Sequence, residues 1–353
     1  MRILVGLSGG IDSSIAALLL KNRGHEVIGA TMSIWRDGNP FSAEVKRDAC
    51  FGPNEKEDIA EARRISEILE IEYHVLDCAK EYEEIVLQNF KSEYLAGRTP
   101  NPCVWCNSFI KFGALPQIAR QKGIDFDKFA TGHYAQVEEQ AGRFLLKTAV
   151  DKRKDQTYFL YRLKQEQLRE VIFPLGQIEK SEVRRLTKEY NLFAEEKRES
   201  QDFYSGDYSD LLQTAVQKGE IMDREGHILG SHDGYWNYTI GQRRGLKVSA
   251  ERPLYVVALD AQLNRVIVGY EEETFKEKLL AENLNWIAID GLTEPLEAQA
   301  KIRSTAKAQP VLLTPAAEGR VEVSFTQSQK AITPGQSVVF YREATVLGGG
   351  VIV

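Results

Sequence analysis

The chain has 353 residues, 43% hydrophobic and 27% charged, the make-up of an ordinary soluble protein long enough for about two or three domains. Its net charge of −6 weighs against a polycation that coats nucleic acid non-specifically, although local basic patches are compatible with that total. No apolar run approaches about 18 residues, so no membrane span is expected. Met1-Arg2-Ile3-Leu4-Val5-Gly6 turns polar too early for a secretory signal, which points to a cytoplasmic protein with reduced cysteines.

In chain order, Ile3-Leu4-Val5 predicts a short buried strand, and residues 13–22 a helix. Glu26 to Met32 predicts a second strand. Glu57 to Leu69 carries Ile59, Ala62, Ile65, Ile68 and Leu69 at helical spacing. Glu72 to Leu76 is a third strand. Residues 81–95 predict a helix with Tyr82, Ile85, Val86 and Phe90 on its apolar face, and Phe129 to His133 ends a further strand. This alternation implies an α/β domain with a parallel sheet covered by helices on both faces. The segment 155–218 is rich in charge and mostly helical in pattern. Beyond about residue 220, Leu254 to Leu259, Arg265 to Gly269, Val321 to Phe325 and Ser337 to Tyr341 are short antiparallel strand signals, best housed in a small β-barrel. The expected boundaries are 1–218, 219–280 and 281–353.

The first strand runs into Gly6-Leu7-Ser8-Gly9-Gly10-Ile11-Asp12-Ser13-Ser14 at the start of a helix. Unpaired backbone N–H groups and the helix dipole both favour an anion there, and Gly9 and Gly10 admit a phosphate close to the backbone. Ser8, Ser13 and Ser14 add hydroxyls. Asp12 is itself an anion, and Mg²⁺ bridging it to a phosphate would reconcile the two. The bland alternative is a glycine-rich turn capped by serine. The Walker pattern is absent.

Ser8-Gly9-Gly10-Ile11-Asp12-Ser13 resembles the loop of the N-type ATP pyrophosphatases, which cleave ATP to AMP and pyrophosphate while adenylating an oxygen. Further stretches narrow the resemblance: Ala96 to Asn107 with Pro100-Asn101-Pro102-Cys103-Val104-Trp105-Cys106, Ala130 to Tyr134, Lys154 to Leu160, Phe173 to Gly176, Glu199-Ser200-Gln201-Asp202, Tyr238 to Arg243, and Pro334-Gly335-Gln336. Together, nearly end to end, the chain resembles the tRNA-specific 2-thiouridylases, which replace O2 of the wobble uridine with sulfur. The resemblance implies an ATP-pyrophosphatase domain with a helical tRNA-binding extension, a small central domain and a C-terminal antiparallel β-barrel. It implies ATP contacts at Gly6, Leu7, Ser8, Gly9, Gly10, Ile11, Asp12, Ser13, Met32 and Gly132. It places tRNA against Asn101, Pro102, Cys103, His133, Lys154, Asp155, Gln156, Arg303, Ser304 and Gln336. Cys106 takes the place of the first catalytic cysteine. Partners implied are a tRNA with a wobble uridine and a sulfur donor, either a persulfide carrier protein or sulfide.

The chain departs from the familiar pattern at two points. After Glu199 to Asp202 a second catalytic cysteine is expected, and Tyr204 stands about where it should be. Cys103 stands where an aspartate often precedes the first cysteine. The cysteines are Cys50, Cys78, Cys103 and Cys106, with none later. Two chemistries fit. Cys103 and Cys106 form a persulfide-bearing pair, or Cys50, Cys103 and Cys106 hold a 4Fe–4S cluster whose open iron carries sulfide. Cys78 fits core packing, and Cys50 has the alternative of a small buried hydrophobe. His133 has the alternative of a capping or core histidine. Competing functions are another ATP-pyrophosphatase synthetase, or a tRNA-binding protein whose catalysis has decayed.

Overall fold

The computed structural model describes residues 1–36, 49–193, 203–204 and 208–353. The chain divides into two compact units. The first comprises 1–86, 102–206 and 344–347, and the second 87–101, 207–343 and 348–353.

In the first unit, strands β1 (Arg2–Gly6), β2 (Glu26–Ser33), β3 (Glu72–Asp77), β4 (Lys128–Ala130) and β7 (Val171–Ile172) form a parallel sheet in the order β3-β2-β1-β4-β7. β1 is central because Ile3, Leu4 and Val5 are fully buried, as a strand covered on both faces requires. Helix α1 (Ile11–Asn22) follows β1, and α2 (Glu55–Ile68) precedes β3. Ile15, Ala16 and Ala17 of α1 join Ile65 of α2 and Val183 in one apolar cluster. The chain leaves β1 toward β2 on one side, while β4 lies on the other. The carboxyl ends of β1 and β4 therefore flank the point where strand order reverses, the place where open α/β sheets bind ligands. A hairpin of β5 (Ala135–Gln140) and β6 (Arg143–Thr148) follows β4.

The helix expected over 81–95 is instead three pieces. Ala79–Tyr82 is α-helical, Glu83–Leu87 widens into a π turn, and Gln88–Leu95 is α-helical again. The division between the two units falls within it, at 86/87. Tyr82 and Val86 are buried in the first unit, whereas Phe90 and Tyr94 pack with Tyr208 in the second. One apolar pattern thus serves two cores. The strand expected through His133 ends at Ala130. In the segment from 155, the described residues hold the short helices Gln165–Glu170, Lys180–Glu189 and Tyr208–Leu212, together with the unexpected strand β7.

In the second unit, β8 (Gly219–Met222), β9 (Ile228–His232), β10 (Tyr255–Asp260) and β11 (Arg265–Gly269) make a sheet in the order β10-β11-β8-β9. Then β12 (Phe275–Trp286), β13 (Leu296–Lys301), β14 (Gln309–Pro315), β15 (Val321–Lys330), β16 (Ser337–Arg342) and β17 (Thr345–Ile352) run β12-β15-β14-β13-β16-β17. Pairing of β12 with β17, Ala281 against Ile352 and Trp286 against Gly348, closes them into a barrel. The alternation is visible in β15, where Val321, Val323 and Phe325 are buried between half-buried Glu322 and Ser324.

Candidate functional site

The loop after β1 is tied down by its own hydroxyls. Ser13 and Ser14 donate from Oγ to the Gly10 carbonyl at 3.0 and 2.9 Å, and Ser13 Oγ accepts from the Ser8 N–H at 3.1 Å. Gly9 has φ +68°, and a Cβ there would stand 2.4 Å from the Asp58 carbonyl oxygen, so only glycine serves both constraints. Gly132, after β4, passes so close to α1 that a Cβ would lie 2.6 Å from the Asp12 carbonyl carbon and the Ser13 nitrogen. Met32 is half-buried at the end of β2. Glu55, at the start of α2, accepts from Ser33 Oγ at 2.7 Å and from the Ile34 and Trp35 N–H groups at 2.6 and 3.0 Å, fixing the chain that follows Met32.

Asp12 has protein partners that its sequence neighbours do not reveal. Lys180 Nζ donates to Asp12 Oδ1 at 2.6 Å, and the Tyr134 hydroxyl donates to the same oxygen at 2.8 Å. Lys180 is buried, and its ammonium also faces the Tyr134 ring at 5.7 Å. The carboxylate is thus neutralised from within the unit, without requiring a metal.

Cys103 lies in the helix Pro102–Trp105 and Cys106 opens the π-helical continuation Cys106–Ala114. Cys103 is exposed and Cys106 half-buried. Burial pushes the Cys106 thiol up to about 11, with Lys111 opposing and Cys50 reinforcing the rise. Cys50 is exposed, which removes the buried-hydrophobe alternative, and Cys78 is fully buried, as core packing predicts. The Tyr82 hydroxyl is held well above its ordinary range by burial first, then by Cys106, Cys50 and Cys103, so all three thiols lie within electrostatic reach of that buried hydroxyl. No disulfide joins the four cysteines. Among the described residues, no three Cys, His, Asp or Glu side chains are arranged to hold a metal ion.

The Phe51 ring lies 5.2 Å from Tyr82, 6.0 Å from Phe203 and 6.4 Å from Tyr204, and its N–H donates to the Phe203 carbonyl at 3.0 Å. Glu199 to Asp202 and Ser205 to Asp207 lie outside the described residues. On the same helix as Cys106, Trp105 stacks on Phe109 at 5.2 Å, with the Arg162 guanidinium 5.1 Å above the Trp105 ring. Phe109 is exposed.

His133 pairs through Nδ1 with Thr131 Oγ1 at 2.7 Å and packs on Phe112 of the cysteine-bearing helix at 5.6 Å. Burial, then the Lys111 charge, holds its pKa well below the ordinary value, so the ring is neutral near pH 7. Asp155 accepts from the Ala149 N–H at 3.0 Å and from Thr157 Oγ1 at 2.7 Å. Gln156 Oε1 accepts from the Tyr134 N–H at 2.9 Å. These two side chains brace the loop, and Lys154 is half-buried beside them.

In the second unit, a cavity of about 300 Å³ is lined by Thr99, Gly241, Arg303, Lys330 and Gln336 among others. Gln336 Nε2 donates to the Thr99 and Pro100 carbonyls at 3.2 and 3.1 Å, and Arg303 donates to the Lys330 and Ala331 carbonyls. Asn101 and Ser304 are half-buried. Sequence reasoning missed Lys180 and Glu55, and it gave Tyr134, quoted within Ala130 to Tyr134, no part in holding Asp12. No local motif marks these contacts, because each acts on a residue distant in the chain.

Three family models match. Residues 1–204 match the tRNA methyl transferase HUP domain, 210–270 the tRNA methyl transferase PRC-barrel domain, and 276–352 the aminomethyltransferase beta-barrel domain. The chain is 48% identical to the tRNA-specific 2-thiouridylase of Endomicrobium trichonymphae, covering all of this chain (100%) and 99% of that protein. It is 45% identical to one from Caldanaerobacter subterraneus over 99% of this chain and 97% of that one. A Clostridium perfringens protein of the same name is 43% identical over 99% and 98%.

Proposed function

Because the chain belongs to the tRNA-specific 2-thiouridylase family, we propose that it is a tRNA sulfurtransferase: it uses ATP to activate a uridine in tRNA, at the wobble position, and replaces O2 with sulfur. One observation carries this reading. Gly132 and His133 touch both halves of the chemistry, Gly132 lying against Asp12 and Ser13 of the phosphate loop while His133 packs on Phe112 of the helix that begins at the catalytic thiol.

The steps follow from the groups present. A uridine carbonyl is a poor electrophile with a poor leaving oxygen. Attack of O2 on the α-phosphorus of ATP expels pyrophosphate and converts that oxygen into the leaving group AMP. The α1 N-terminus stabilises the departing pyrophosphate through its unpaired N–H groups. Lys180 keeps Asp12 from repelling it, and Mg²⁺, entering with ATP as part of the substrate, adds charge neutralisation. A sulfur nucleophile carried on a cysteine then attacks C2, and AMP leaves with the bonding electrons.

The target base must leave its stack to be reached. The Trp105–Phe109 pair beneath Arg162, on the helix of Cys106, offers an aromatic surface suited to it. Arg303 and Gln336 are proposed to meet the tRNA from the cavity of the second unit.

The sulfur is carried as a persulfide. The thiols of Cys50, Cys103 and Cys106 share one neighbourhood but do not form a metal-ligand set among the described residues. Thiol–persulfide exchange among these cysteines needs no metal.

Incubating the purified chain with ATP, a tRNA transcript carrying a wobble uridine and a small-molecule persulfide is expected to give 2-thiouridine by nucleoside mass spectrometry, with AMP and pyrophosphate in equal amounts. Adenylation of a small molecule in the absence of tRNA, with no thionucleoside formed, overturns the reading in favour of another ATP-pyrophosphatase synthetase.

A further inference from the structure

We propose that Cys50 supplies the second thiol of the sulfur relay, beside Tyr204, which stands where the family's second cysteine is expected in sequence. The inference rests on the 2-thiouridylase reading above. Tyrosine cannot carry sulfane sulfur, so if the chemistry needs two thiols, the second must come from elsewhere in the chain.

The fold shows where. The residue after Cys50 donates its N–H to the Phe203 carbonyl at 3.0 Å, and its ring packs on both Phe203 and Tyr204. The Cys50 loop is therefore stitched to the segment in which the family's second cysteine is expected. The same Phe51 ring stacks on Tyr82, whose buried hydroxyl lies within electrostatic reach of Cys50, Cys103 and Cys106. Among the other thiols, Cys50 is the one whose charge bears on Cys106. Cys50 is exposed, so a carrier can reach it, whereas Cys106 is half-buried with a thiol that resists ionisation.

The two cysteines therefore divide the work. A persulfide donor transfers its sulfane sulfur to Cys50, giving Cys50–S–SH and the donor's thiol. The terminal sulfur attacks C2 of the adenylated uridine, the C2–O bond breaks, and AMP leaves with the electron pair. The nucleoside is then joined to Cys50 through a disulfide. The Cys106 thiolate attacks Cys50 Sγ, that disulfide breaks, and 2-thiouridine departs as its thiolate to take a proton from solvent. A Cys50–Cys106 disulfide remains. A dithiol reductant restores both thiols with two electrons and two protons.

The test uses the full-length chain. After a single turnover with ATP, tRNA and a small-molecule persulfide, without reductant, non-reducing peptide mass spectrometry is expected to find Cys50 joined to Cys106. Loading with persulfide alone is expected to add one sulfur atom to the Cys50 peptide. Cys50→Ala is expected to lose at least about tenfold in thiolation from the persulfide. It should keep thiolation from excess inorganic sulfide, which attacks C2 directly and needs only the adenylation step. A Cys103–Cys106 disulfide, or full persulfide-driven activity in Cys50→Ala, overturns the proposal. Failure of the wild-type chain with both donors overturns the functional reading itself, and so is distinguishable from failure of Cys50.

Discussion

Asp12 puts a carboxylate in the first turn of α1, beside the loop proposed to receive phosphate, and Lys180 pairs with it there. The lysine is buried, the aspartate partly so, and Tyr134 donates to the same oxygen. Removing one member of such a pair strands the other, whereas removing both is far less costly. Lys180→Met is therefore expected to lower stability by about 2–4 kcal/mol in urea unfolding, with the Asp12→Asn, Lys180→Met double variant recovering at least half of that. ATP-dependent pyrophosphate release should fall in both, because the loop charge is altered in both. Equal stability of the single and double variants would sink this account. Cys106 allows a second prediction at the same scale. Its thiol is pushed up to about 11, so the neutral form dominates at physiological pH and the reactive thiolate grows with rising pH. Alkylation of Cys106 by iodoacetamide is expected to climb about tenfold per pH unit from pH 7 to about 10, without the plateau near 8.5 of an ordinary thiol. Lys111→Met removes the positive charge that opposes the rise, so it should slow alkylation at pH 8. Peptide mass spectrometry reads both, and an early plateau contradicts them.

Elements explain why one glycine matters more than its motif suggests. Gly132 is the point where the chain leaving β4 crosses the first turn of α1, and a methyl group there would meet backbone rather than a yielding side chain. Gly132→Ala is expected to raise the KM for ATP at least about tenfold, since the phosphate loop must shift to relieve the contact. Isothermal titration with a non-hydrolysable ATP analogue checks this, and unchanged affinity would overturn it. The alternation that set out β1, α1, β2 and β3 was legible in the sequence because a buried central strand and an amphipathic helix each write their own period into it. The loop itself was legible because its glycines and serines are local. Lys180 was not, because it reaches Asp12 across 168 residues of chain and carries no motif of its own. The approach of the Cys50 loop to Phe203 was hidden for the same reason: no period links two loops 152 residues apart (203 − 51) that meet through one backbone hydrogen bond. The π turns at Glu83–Leu87 and Cys106–Ala114 were also invisible, since their residues keep nearly helical spacing while the backbone widens.

For the molecule as a whole, a net charge of −6 sets the terms on which it can hold a polyanion. Long-range attraction to tRNA is not available from the total, so binding must draw on a few placed cations and on stacking. Arg303 is the cation proposed for that role. It is exposed, lines the cavity of the second unit with Lys330, and two of its contacts are to backbone carbonyls that orient the guanidinium without neutralising it. If it meets a phosphate, Arg303→Ala should weaken tRNA binding about five- to tenfold and reduce the slope of log affinity against log salt by about 1. ATP binding without tRNA should be untouched, because the phosphate loop lies wholly in the first unit. Trp105→Ala gives the contrasting case. Loss of a stacking surface should weaken productive binding while leaving the salt slope where it was, since no counterion is released by an aromatic ring. Filter binding at four salt concentrations separates the two. Parallel slopes for Arg303→Ala and the wild-type chain would mean that Arg303 only braces the barrel through Lys330 and Ala331 and does not touch the RNA.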